Sequence, residues 1–77
     1  MENKTFKAGF KVGDLVMFDP SGGRYSKWFG GSMATIENVS YASDGKLHFR
    51  VRWLNPVPYF GKFATVSDFS ADKFIKC

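Results

Sequence analysis

The sequence predicts a small all-β domain, a barrel or sandwich of five short strands with one helical turn before the last. Three observations carry that expectation. Residues Leu47, Phe49, Val51 and Trp53 alternate with His48, Arg50 and Arg52, the period of two that marks a strand with one buried face. Turn signals recur at intervals of about 8–12 residues, the spacing of small all-β domains. No stretch carries helical periodicity long enough to define a helix of several turns.

The elements follow in order. Residues 1–10, with Phe6 and Phe10 among Lys4 and Lys7, have no clear period and read as an arm or edge segment; residues 11–77 form the domain. The first strand is expected over Asp14–Phe18, where Gly13 permits a backbone bend and Asp14 can accept hydrogen bonds from local amides. Asp19-Pro20-Ser21-Gly22-Gly23 then ends pairing, because proline has no N–H for a strand ladder. A long connection continues through Arg24, Tyr25, Lys27, Trp28 and Phe29 to Gly30-Gly31. Long loops in compact domains are commonly functional, and three rings with two cations favour that here.

The second strand is expected over Met33–Tyr41, with a bulge near Asn38 where strict alternation breaks. Asp44-Gly45 marks a tight hairpin. The third strand spans Leu47–Leu54 and is expected to stop at Asn55-Pro56-Val57-Pro58. A second aromatic loop, Tyr59-Phe60-Gly61-Lys62-Phe63, leads to a fourth strand over Thr65–Phe69. Ser70 is a candidate N-cap for a turn through Lys73, Asp68 is expected to cap toward Phe69, and Phe74–Lys76 closes the domain.

Composition sharpens the functional expectation. Nine Phe, three Tyr and two Trp make fourteen rings in 77 residues, more than the Val, Ile and Leu together. Each ring covers about 150–250 Å² when buried, and a domain this small buries a modest share of its surface. Some rings are therefore expected at the surface as contact points for a partner. The eleven basic residues against seven acidic ones give a net charge of +4, which mildly favours an anionic partner.

Other functions find little support. Cys77 is the single cysteine and His48 the single histidine, so neither a disulfide nor a Cys/His metal site is expected. No Ser-His-Asp or Cys-His constellation can be assembled, the glycine pairs lack the Lys and Ser/Thr of a phosphate loop, and the carboxylates are scattered. The expectation is a non-catalytic protein without cofactor or metal. No apolar run of about 20 residues and no signal-peptide pattern is present, so a cytoplasmic protein without membrane contact is expected.

The order of elements, with Lys11-Val12-Gly13-Asp14, Ala34-Thr35-Ile36, Phe49-Arg50-Val51-Arg52-Trp53 and Ser67-Asp68-Phe69, resembles SH3-like small barrels, closest to their Tudor-like branch. The chain also looks like small SH3-like proteins of bacteriophages. The resemblance implies a five-stranded barrel. Tudor-like domains bind methylated Lys or Arg in an aromatic cage, and Trp53 and Tyr59 stand at two matching positions. Ser32 and Met33 occupy a third place where the family usually has a ring, so Tyr25, Trp28 or Phe29 would have to substitute.

Two functional readings result. In the first, Tyr25, Trp28, Phe29, Tyr59 and Phe60 share a patch at one end of the barrel, with Arg24, Lys27, Arg50, Arg52 and Lys62 as a basic rim. Rings stack on bases while cations track phosphates, the pattern of single-stranded DNA or RNA binding. Trp53 can join the ligand or pack in the core with Phe49 and Val51. The alternative is an adaptor that docks the same rings on a host protein or a methylated peptide. Exposed strand edges add a homodimer as a further expectation.

Overall fold

A computed structural model describes residues 9–21 and 23–77. The first eight residues of the expected arm, and Gly22 of the first turn signal, lie outside them. Five antiparallel strands form one sheet: β1 (Leu15–Phe18), β2 (Met33–Tyr41), β3 (Leu47–Tyr59), β4 (Lys62–Ser70) and β5 (Phe74–Lys76). A one-turn helix, α1 (Ser26–Phe29), lies between β1 and β2, and a 3-10 turn, Ala71–Lys73, precedes β5. The strand order is β4-β3-β2-β1-β5.

The expected barrel is not closed by hydrogen bonds, since β4 and β5 are the two ends of the sheet. The sheet nevertheless curls over a single core. Phe69 of β4 meets Phe18 of β1 at a ring-centroid distance of 4.9 Å and Phe74 of β5 at 6.3 Å. Phe18 also packs on Phe29, Trp53 and Phe74, which makes it the hub of the interior. Inward residues of β3 alternate as the period of two requires, and Leu47, Phe49, Val51 and Trp53 are all buried. The indole N–H of Trp53 donates to Ser67 Oγ at 2.9 Å, so this ring is buried without an orphaned donor.

Boundaries and bends have local causes. The register between β2 and β3 slips between Ile36 and Asn38, the bulge that broken alternation predicts. The prolines do not end β3 as expected. Beyond Trp53 the partner β2 has run out, and β3 pairs with β4 alone, through Val57↔Ala64, Pro58↔Phe63 and Tyr59↔Lys62. In a two-residue hairpin the last pair before the turn is hydrogen-bonded. The nitrogen of Pro58, one residue earlier, therefore faces the open edge, where it needs no partner. Pro56 falls in the irregular stretch between Arg52 and Val57 where the register shifts.

Asp68 does not cap the turn toward Phe69 but pairs with Arg50 across the strands. Ser70 occupies the N-cap position of the 3-10 turn, with its hydroxyl donating to Asp72 Oδ1 at 2.8 Å rather than reaching a backbone amide. Phe10, at the end of the expected arm, packs edge-on against Phe49 at 5.4 Å.

Asp14 ties the beginning of the domain to its end. Its carboxylate accepts from the Lys11 backbone N–H at 2.9 Å and lies 3.1 Å from Lys11 Nζ and 3.4 Å from Lys76 Nζ. The Lys11 side-chain hydrogen bond, aided by the other two contacts against a smaller effect of burial, holds the Asp14 carboxyl below its ordinary 3.8. A group depressed in this way stabilises the fold above its unfolded value and loses that contribution as pH falls through the folded one. Wild-type thermal stability should therefore drop faster than that of Asp14→Asn as pH is lowered past 3.8. Parallel acid titrations of the two melting curves would refute the assignment.

Candidate functional site

The two aromatic loops meet at one end of the sheet. The first is folded by α1 and pinned to β1. Ser26 donates from its N–H and its hydroxyl to Gly23 O, and Gly30 N–H closes the turn on Ser26 O at 2.8 Å. Gly31 N–H then returns to Phe18 O at 2.9 Å, and Phe18 N–H donates to Ser32 O. Only glycine fits at position 30, since a Cβ there would lie 2.4 Å from Ser26 O and 3.0 Å from Pro20 Cα. This turn buries Phe29 and leaves Tyr25 and Trp28 half-buried on the same side.

The second loop is a two-residue turn, Phe60-Gly61, at the tip of the β3–β4 hairpin. Both residues have positive φ, 51° at Phe60 and 75° at Gly61. Phe60 is the only non-glycine residue with positive φ among the described residues. A β-carbon is disfavoured in that region by about 1–2 kcal/mol, and the position ordinarily takes Asn, Asp or Gly. The phenyl ring gains little burial in return, being 73% exposed. Strained backbone of this kind clusters at ligand-contacting sites.

Trp28, Tyr59 and Phe60 touch one another, with centroid separations of 5.0 Å for Trp28–Tyr59, 5.1 Å for Trp28–Phe60 and 4.6 Å for Tyr59–Phe60. Tyr25 lies beside them, 6.4 Å from Trp28 and 6.3 Å from Tyr59. Phe29 and Trp53 are buried beneath at 2% and 4% exposure, stacked on each other at 5.1 Å. Phe29 was expected in the exposed patch, and Trp53 either at the ligand or in the core; both are core residues that support the cluster from below.

The expected basic rim divides in two. Lys27 holds its ammonium 4.7 Å from the centre of the Trp28 ring, a cation–π contact. Lys62 faces Tyr59 across the last pair of the hairpin. Neither forms an ion pair among the described residues, nor does exposed Arg24. Arg50 and Arg52 stand instead on the outer face of β3, already partnered. Arg50 makes a two-pronged bond with Asp68, at 3.0 and 3.1 Å, and Arg52 binds Glu37. The Arg50 hydrogen bond holds the Asp68 carboxyl below its usual range. A phosphate would have to displace these carboxylates, so the cations of the expected rim without an ion pair among the described residues are Lys27 and Lys62 beside the rings and Arg24, which precedes Tyr25 in the chain.

Phe63 was not among the expected contacts, yet it is 70% exposed and sits opposite Pro58 on the outer side of the hairpin. The signal was the Phe60-Gly61 pair: read as a two-residue turn, it sets Pro58 against Phe63 in the pair next to Tyr59 and Lys62, at the exposed tip.

Among the described residues, no group of three or more His, Cys, Asp or Glu could hold a metal ion. No described helix is long and apolar enough to cross a membrane. No family model matches the chain, and no curated protein or solved structure shows significant similarity to it.

Proposed function

We propose that the chain is an SH3-like binding module that recognises single-stranded nucleic acid through the hairpin tip. The carrying observation is Phe60, an exposed ring held on disfavoured backbone against Trp28 and Tyr59. Lys27 and Lys62, which form no ion pair among the described residues, flank these rings. Aromatic side chains stack on bases irrespective of sequence while cations meet the phosphates. The reading assigns stacking to Trp28, Tyr59 and Phe60, support to Tyr25, and phosphate contact to Arg24, Lys27 and Lys62.

Titration of labelled single-stranded DNA and RNA across a salt series tests it. Log affinity should fall linearly with log salt, at about −0.7 per phosphate contacted, so three free cations set a limit of roughly −2. Absence of binding at low salt would refute the reading.

The exposure of Phe60 and Phe63 also favours a second reading, an adaptor that docks these rings on a protein. Its signature is a partner retained through nuclease treatment, with an affinity that salt changes little. A methylated Lys or Arg ligand suits the site less, because the Lys27 ammonium already lies over Trp28 and like charges repel.

A further inference from the structure

Tyr59, Phe60, Lys62, Phe63 and Ala64 line an open hollow of about 380 Å³ on the hairpin tip. That volume lies near the lower end of the roughly 300–1,000 Å³ common among small-ligand sites. Its walls are three rings and a methyl group, and the one charge on them is the Lys62 ammonium. A flat π-system with an attached anion complements that lining in both shape and charge.

The arrangement of the rings limits how much of a strand can be gripped. A run of stacked bases needs aromatic platforms placed one after another along the chain. Here Trp28, Tyr59 and Phe60 are all within 5.1 Å of one another, centre to centre, and form one corner. The Phe63 side chain starts from the opposite face of the hairpin and meets this corner only across the hollow at the tip. Resting on the nucleic-acid reading above, we infer that the tip captures a single nucleotide. One base, splayed out of its strand, enters the hollow between Phe60 and Phe63, and its phosphate meets Lys62. Neighbouring phosphates reach Lys27 and Arg24, which gives a footprint of about three nucleotides, short beside the roughly 4–16 of larger single-strand-binding folds.

The test is anisotropy of labelled oligothymidylates of about two, four, eight and twelve residues at low salt, with thymidine 5′-monophosphate as competitor. Affinity per binding position should level off by about four residues, and the mononucleotide should compete. Phe63→Ala, at an exposed site, should keep the wild-type melting temperature and weaken binding about fivefold or more at every length, the least that losing one stacking ring costs. Affinity per position that climbs through twelve residues, or a Phe63→Ala variant that binds as wild type, would overturn the single-nucleotide site and leave the strand-binding reading in place. Failure of every oligonucleotide to bind would overturn both.

Discussion

Phe18→Ala is expected to destabilise the domain by about 3–5 kcal/mol, the range for removing a buried phenyl ring. Phe18 is fully buried and sits within 6.4 Å of Phe29, Trp53, Phe69 and Phe74, ring centre to ring centre. Those four rings come from α1, β3, β4 and β5, so no single element can move inward to refill the space. At about 0.05–0.15 kcal/mol per residue, a chain of 77 residues has roughly 4–12 kcal/mol in total. The variant should therefore lose about a quarter of that stability at the least, and all of it if the wild type sits at the low end. Urea unfolding reads the result, with Phe18→Leu as the milder control. A loss under about 1 kcal/mol would mean that the curled sheet is not held by this ring cluster.

The second large effect separates stability from function. Phe60→Asn should weaken single-strand binding about fivefold or more, by the stacking contribution of one aromatic side chain, while stability stays within about 0.5 kcal/mol of wild type. Two changes offset each other. Asn tolerates the positive φ at this position far better than Phe, and Asn-Gly is the preferred pair for such a turn. Against that gain stands the loss of ring contacts with Trp28 and Tyr59, which are modest for a side chain 73% exposed. Melting curves and the oligonucleotide titration measure the two halves. A variant that melts well below wild type would show the ring to be a structural plug, and one that binds undiminished would remove it from the site.

The parts of this fold that sequence discloses are those set by local pattern. β2 and β5 occupy Met33–Tyr41 and Phe74–Lys76, as alternation and turn residues predict, and the bulge near Asn38 falls where alternation breaks. What pattern misjudges depends on neighbours in space. Pro56 and Pro58 signal the end of a strand, but they lie where β3 has an open edge, and only the length of β2 reveals that edge. α1 is one turn long and closes on Gly30, too short to show a helical period. Arg50 and Arg52 alternate as exposed cations in the sequence, yet their carboxylate partners are 18 and 15 residues away and come opposite only once the registers are fixed. At the ring cluster, loop position alone could not distinguish Phe29, which α1 turns inward, from Trp28 beside it, which faces the tip.

The two tryptophans give the molecule a pair of built-in optical reporters. Trp53, sealed in the interior and bonded through its indole nitrogen to Ser67, should emit at short wavelength and resist soluble quenchers until the chain unfolds. Trp28, half-buried beneath the Lys27 ammonium, should emit to the red and be quenched readily. Any spectral change on adding a partner to the folded protein can thus be traced to the tip, with the other indole as internal reference for the intact core.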